Sequence, residues 1–157
     1  MPDADDMRPD EEEIDLDDLR SFVDGLDPAD EDWELLQRYT ADRLHDRYLD
    51  TGERADLDEA IRRGHGVIAG QEYGAAAHLH DLALMVWDRI EVYPSTEDVV
   101  DYIQLLEGAL SLLGDEDADP ELLAKTQANL ATGLMTRNRY EPSEDDRDRA
   151  THLWEAA

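Results

Sequence analysis

Three observations predict an all-α fold built from consecutive helical hairpins. Apolar residues recur at helical spacing rather than in alternation, breakers fall at near-regular intervals, and one motif returns three times along the chain. Composition agrees. Hydrophobic residues make up 41% of the 157, yet aromatics are limited to one Phe, three Trp and six Tyr, so Leu, Ala, Val and Ile carry the apolar content. Leu and Ala lose little side-chain freedom on entering a helix. The length suits one domain with a real core rather than two large ones.

Residues 1–12 are polar, acidic and contain Pro2 and Pro9; they bury too little apolar surface to offset ordering and read as disordered. From Glu11 to Leu26 the pattern becomes that of a short amphipathic helix, with Ile14, Leu19, Phe22, Val23 and Leu26 on one face. Gly25 and Pro28 end it. Asp30 or Asp32 offers an N-cap for a helix from about Trp33 to Leu49, and Thr51-Gly52-Glu53 breaks that helix. The next runs from about Ala55 to Ile68 and ends at Gly70. Another spans about Gly74 to Val92, where Pro94 forces a stop. Ser95 is an N-cap with Asp98 as the capping-box acid, and that helix continues to Leu113 and Gly114. Pro120 suits the first residue of a helix reaching about Asn138 or Arg139. After Pro142-Ser143 a last helical pattern runs from Glu144 to the end. Residues 1–30 are thus an acidic segment with a short helix, and residues 31–157 a repeat domain with hairpins over about 33–70, 74–113 and 120–157.

The repeat emerges when the chain is compared with itself. Leu130-Ala131-x-x-Leu134-x-x-Arg137, then Asp146-x-x-x-Ala150, is matched 48 residues earlier by Leu82-Ala83-x-x-Val86-x-x-Arg89 and Asp98-x-x-x-Tyr102. A further shift of 42 gives Thr40-Ala41-x-x-Leu44-x-x-Arg47 and Asp56-x-x-x-Ala60. The alanines let helices approach closely, and the arginines sit near helix C-termini, where a cation opposes the macrodipole. Gly52, Pro94 and Pro142 break each unit at the same place. Each unit is therefore a hairpin whose apolar stripe needs a neighbour, and three in a row form a stack.

The run from Leu44 to Ile61 resembles the tetratricopeptide-type repeats of bacterial proteins that often carry a caspase-like CHAT peptidase domain. In those repeats the phrase R-Y-x-x-T-G-x-x-x-D-L-D-E-A-I recurs; here Arg47, Tyr48, Thr51, Gly52, Asp56, Leu57, Asp58, Glu59, Ala60 and Ile61 match it. The second unit matches loosely through Asp88-Arg89 and Asp98-Val99, the third through Asn129-Leu130-Ala131 and Arg137. The resemblance covers about Trp33 to Ala157. It implies a tetratricopeptide-like α-solenoid of about three hairpins that serves as a binding scaffold. The catalytic His and Cys of a CHAT domain have no counterpart, because the chain contains no cysteine.

The absence of cysteine also excludes disulfides and thiolate metal sites. His78 and His80 are two apart and point to different sides of a helix. His45 has Asp42 and Asp46 at ligand spacing, but an exposed polar face gives the same pattern. The loop Asp115 to Asp119 resembles half a calcium loop without its Gly and terminal Glu. Gly64-His65-Gly66 lies in a helical pattern rather than after a strand, and no nucleophile motif surrounds Ser21, Ser95, Ser111 or Ser143. No catalytic, cofactor or metal residue is assigned.

Candidate partner-binding residues are Arg47, Arg89 and Arg137, which could receive a partner's carboxylates, and Trp87 and Trp154, which could anchor a peptide. Structural roles compete in each case: ion pairs with Asp46, Asp88 or the next unit's acids for the arginines, core packing for the tryptophans. The net charge is −28, from 42 acids against 14 bases, and residues 1–34 contribute −14 of it. Lys125 is the lone lysine. Such a chain repels phosphate backbones and anionic lipid, so direct nucleic-acid or membrane binding is not expected. The longest apolar run, Leu82 to Trp87, is far too short to span a bilayer, and the N-terminus lacks the pattern of a secretory signal, so a cytoplasmic location is expected. Together these features point to a non-enzymatic scaffold that binds another protein, with possible self-association through the last helix. A nucleic-acid mimic and a regulatory part of a CHAT-type system are the alternatives.

Overall fold

The computed structural model describes residues 14–69, 75–114 and 118–157; the expected disorder of residues 1–12 and the acids at 115–117 lie outside that set. Among the described residues the chain is all-helical, with seven helices and no strand. They are α1 (Leu16–Asp24), α2 (Trp33–Thr51), α3 (Arg54–Ala69), α4 (Ala76–Val92), α5 (Thr96–Leu112), α6 (Pro120–Tyr140) and α7 (Glu144–Ala156). None is long and apolar enough to cross a membrane.

Local chemistry sets the helix ends. Asp15 Oδ1 accepts from the N–H groups of Asp17 (2.9 Å) and Asp18 (3.1 Å), so α1 starts at Leu16; Glu11, where the helical pattern was expected to begin, lies outside the described residues. Ile14, expected on its apolar face, precedes the helix and is exposed. Asp32 occupies the N-cap position of α2 but makes no side-chain cap, and Asp30 instead accepts from the Asp32 N–H at 3.0 Å. At the far end Gly52 adopts φ 73°, and its N–H donates to the Tyr48 carbonyl at 2.7 Å. A side chain there would strain the left-handed cap. Ser95 and Ser143 cap α5 and α7 by accepting from the N–H of Asp98 (3.5 Å) and Asp146 (3.2 Å). Asp98 does not complete the expected capping box, because Arg89 holds its carboxylate.

Each helix packs on the next in sequence, most extensively within the pairs α2/α3, α4/α5 and α6/α7. The three pairs bury the same positions. Ala41, Ala83 and Ala131 are buried, and so are Leu44, Val86 and Leu134 one turn later. On the second helix of each pair, Ala60, Tyr102 and Ala150 are buried in turn. These residues belong to one continuous core running from Leu16 to Ala150. Leu16, Leu19 and Val23 place α1 in that core as well, against α2.

Arg63 is 4% exposed and fastens this end of the molecule. It donates to Glu59 (2.9 Å) on its own helix, Gln37 (2.8 Å) on α2 and Asp24 (2.9 Å) on α1. Arg20 of α1 also donates to Glu59 at 3.0 Å. A buried guanidinium is tolerated because its donors are met. Burial opposes ionisation of Glu59, but the hydrogen bonds from Arg20 and Arg63 outweigh it and hold its pKa below the ordinary value.

Gly66 sits within α3 with nothing within 4 Å of where a Cβ would stand. Gly66→Ala should therefore stabilise the chain by about 0.5–1 kcal/mol through helix propensity alone. Urea denaturation reads the change, and a loss of stability would show that the position is sterically closed.

Candidate binding surface

Arg89 and Arg137 lie in the last turns of α4 and α6, and Arg47 lies just before the last turn of α2; each stands nine residues before an acid in the first turn of the following helix. Arg47 Nε and Nη2 donate to Asp56 Oδ2 and Oδ1 at 2.7 and 2.8 Å. Arg89 grips Asp98 at 3.0 and 2.6 Å, and Arg137 grips Asp146 at 2.8 and 2.7 Å. Every unit thus carries the same two-pronged clasp across its turn. A cation at a helix C-terminus and an acid at the next N-terminus each suit the local dipole, and the planar fork matches the carboxylate. The hydrogen bonds from Arg137 hold the Asp146 carboxyl below its ordinary pKa, with partial burial opposing them.

The clasp acids are not Asp46, Asp88 or those of the next unit, as sequence spacing suggested. They are the acids of the same hairpin. Two of the arginines reach a further acid: Arg89 donates to Asp58 of the preceding hairpin at 3.0 Å, and Arg47 stands 3.7 Å from Asp17 of α1. The fork of all three arginines is therefore committed internally, although their side chains remain 36%, 19% and 33% exposed.

The two tryptophans part company. Trp87 is half-buried, its ring 5.0 Å from that of the fully buried Tyr102, and joins α4 to α5. Trp154 is 48% exposed on α7.

Polar pairs link one hairpin to the next. His45 Nε2 meets Asp88 Oδ2 at 2.6 Å between α2 and α4, and His80 meets Asn129 at 3.1 Å between α4 and α6. His65 and Asp101 pair at 2.8 Å between α3 and α5. Shifting those two positions by the repeat spacing gives Glu107 and Arg149, which pair at 2.6 Å between α5 and α7 with the charges reversed. Two rows result: α2, α4 and α6 side by side, and α1, α3, α5 and α7 side by side.

On the first row the solvent face of α2 carries Leu35, Tyr39, Asp42, Asp46 and Leu49. The matching positions of α4 are Ala77, Asp81, Leu84, Asp88 and Glu91. The result is an acidic surface with exposed apolar anchors: Leu35 is 62% exposed, Leu49 61%, Tyr39 44% and Leu84 38%. The corresponding α6 positions, Lys125, Asn129, Thr132, Thr136 and Arg139, carry no acid. Sequence reasoning missed this stripe. The i, i+4, i+7 spacing of Leu35, Tyr39 and Asp42 was its only signal.

Between α2, α3 and α4 lies a small cavity of about 40 Å³, lined by Arg38, Asp42, His78 and Asp81 among others. It has room for water rather than an organic substrate, and its lining offers no hydroxyl or thiol nucleophile. His78 Nδ1 is buried there without a hydrogen-bond partner, and burial lowers its pKa. The neutral ring is favoured in the fold, so its contribution is complete above the ordinary value of 6.5 and is lost as pH falls below it. The stability advantage of the chain over His78→Gln should therefore shrink from pH 7 downward, as read by urea denaturation. A pH-independent difference would rule this out. Asp42 shifts the other way, raised by burial and then by Asp81, so its effect acts in the carboxylate range, below that window.

No cluster of three His, Asp or Glu among the described residues could hold a metal ion. Seen beside known proteins, the chain matches no family model, no curated protein and no solved structure.

Proposed function

We propose that the chain is a non-catalytic protein-binding scaffold, a tetratricopeptide-like α-solenoid of three hairpins with α1 at one end. The supporting observation is the clasp, which recurs at Arg47–Asp56, Arg89–Asp98 and Arg137–Asp146 with the same two-pronged geometry. A chain built by repetition offers rows of equivalent surface positions rather than one convergent pocket, which suits extended partners. The acidic stripe of α2 and α4 suits a cationic segment with apolar side chains spaced to meet Tyr39, Leu49 and Leu84. Burying those anchors supplies affinity, while Asp42, Asp46 and Asp81 favour cationic partners and speed the encounter. The cytoplasm remains the expected location, and the resemblance of residues 44–61 to CHAT-associated repeats keeps a regulatory role in a peptidase system as a further reading.

The test is retention of partners from extract on the immobilised chain, compared with the variant Asp42→Lys/Asp81→Lys/Leu84→Glu and with the control Asp18→Lys/Glu53→Lys. Loss with the first variant alone supports the stripe. Equal weakening by both, with affinity falling steeply as salt rises above ~0.15 M, would favour nucleic-acid mimicry by the −28 charge instead. Retention by both removes the stripe from the interaction.

A further inference from the structure

We infer that the cavity beside Arg137, between α5 and α6, receives the carboxylate of an acidic side chain from a partner protein, on a segment that carries a basic residue close by. The site is separate from the stripe of α2 and α4, and the recurring clasp points to it.

In each clasp the fork uses Nε and Nη2, which leaves Nη1 to look elsewhere. In two of the three it finds a second carboxylate, on the helix that precedes the arginine's own. Arg89 Nη1 donates to Asp58 of α3 at 3.0 Å, and Arg47 Nη1 stands 3.7 Å from Asp17 of α1. Asp58 lies two residues beyond the clasp acid Asp56; two residues beyond Asp98 the chain has Val100. Valine offers no acceptor. Among the described residues Arg137 accordingly pairs with Asp146 alone, through Nε and Nη2.

A small cavity of about 30 Å³ lies at this place, lined by Thr96, Val99, Val100, Arg137, Tyr140 and Glu141. Its size admits a carboxylate but not the chain that carries one. Val100 is 42% exposed and Tyr140 51%, so the methylenes of an acidic side chain find apolar surface to cover on the way in. A wider groove of about 330 Å³ shares Thr96, Val100 and Glu141 with the cavity and continues along Glu97, Asp101 and Gln104. The carrier runs there, as a chain segment rather than a free small acid.

The acids of the groove set a second condition. Glu107 and Glu141 act on Arg137 through their charge without pairing with it, so a bare anion is repelled. The segment must therefore bring its own cation. His65 already holds Asp101, which leaves Glu97 and Glu141 to meet that cation. The arginine fixes where the segment docks, and the flanking acids select its charge pattern.

The experiment records backbone amide shifts of the full chain by NMR during titration with two capped peptides, Ala-Glu-Ala-Lys-Ala and its reverse. The expected result, with at least one of them, is a shift of Thr96, Val100 and Tyr140 that is half complete near ~1 mM. Replacing the peptide's Glu with Gln should weaken binding by about fivefold. Val100→Asp gives Arg137 the acid that Arg89 has in Asp58, and should weaken binding at least as much, whereas the uncharged Val100→Asn should not. The stripe variant of the preceding section should bind the peptide unchanged, so failure here is distinct from failure of the stripe. Four results would overturn the assignment: no shift of those residues up to ~5 mM of either peptide, beyond the weak-binding limit; binding by Val100→Asp as tight as by the parent; the same shifts with sodium acetate alone at equal concentration, which would make this a site for free small acids; or a dimer in light scattering that Val100→Asp dissolves, which would assign the cavity to a second copy.

Discussion

Arg89→Ala should lower the unfolding free energy by about 3 kcal/mol, the largest loss expected among the clasp arginines. Arg89 is the least exposed of the three, at 19%, and it hydrogen-bonds acids on two different helices within 3.0 Å, whereas the second acid of Arg47, Asp17, stands at 3.7 Å and is itself 71% exposed. Its removal leaves Asp98, 14% exposed, beside a side chain that can no longer neutralise it, and it leaves Asp58 with Arg54 alone, at 3.4 Å. Breaking a buried pair costs about 3–5 kcal/mol, and the 43% exposure of Asp58 moves the figure to the lower end. Arg47→Ala and Arg137→Ala should each cost about 1–2 kcal/mol, since water reaches those guanidinium groups more freely. Arg89→Lys should recover only part of the loss, because an ammonium cannot bridge both oxygens of Asp98 and reach Asp58. Urea denaturation with the double variant Arg89→Ala/Asp98→Ala gives the coupling. If Arg89→Ala proves no worse than Arg137→Ala, the second acid contributes nothing and the link between hairpins through Asp58 is decorative.

Gly133→Val should be comparably damaging, at about 3 kcal/mol. A Cβ at this position would stand 2.9 and 3.0 Å from Tyr102 ring carbons and 3.0 Å from Ile103 Cγ1. Both residues are 2% exposed, so neither ring nor branch can swing into solvent. Helices α5 and α6 must then separate, or Tyr102 must leave its place against Trp87. Valine regains little helix propensity to offset the clash. Thermal unfolding by circular dichroism measures the effect, with Gly66→Ala as the contrasting glycine at an open site. A parent-like melting temperature for Gly133→Val would mean that the α5/α6 contact is looser than its geometry indicates.

The helices and their order were legible in the sequence because their causes are local. Pro120 at a first turn, Ser95 before α5, Gly52 after α2 and the apolar spacing of Ala41 and Leu44 act within a few residues. The recurring positions were legible for the same reason, since Arg47, Arg89 and Arg137 each stand nine residues before an acid. Their partners were not. Asp46 and Asp88 are chain neighbours of Arg47 and Arg89, yet Asp56 and Asp98 win because the hairpin turn folds the second helix's first turn back onto the C-terminal part of the first. That distance exists only after packing.

The same division separates the tryptophans. Trp87 and Trp154 look alike in sequence, each on a helix beside a repeat position, but Tyr102 packs against one while the other is 48% exposed among the described residues. The network of Arg20, Glu59, Arg63 and Asp24 shows it again: Glu59 and Arg63 share α3, but Arg20 and Asp24 belong to α1, and only its docking brings the four together. Sequence by itself determined that the chain is helical, where its helices turn, and which positions recur, because backbone hydrogen bonds and helix periodicity are short-range. Tertiary structure decided which charges meet, which aromatic is buried and which face stays open, because those outcomes depend on separations between helices that no single segment encodes.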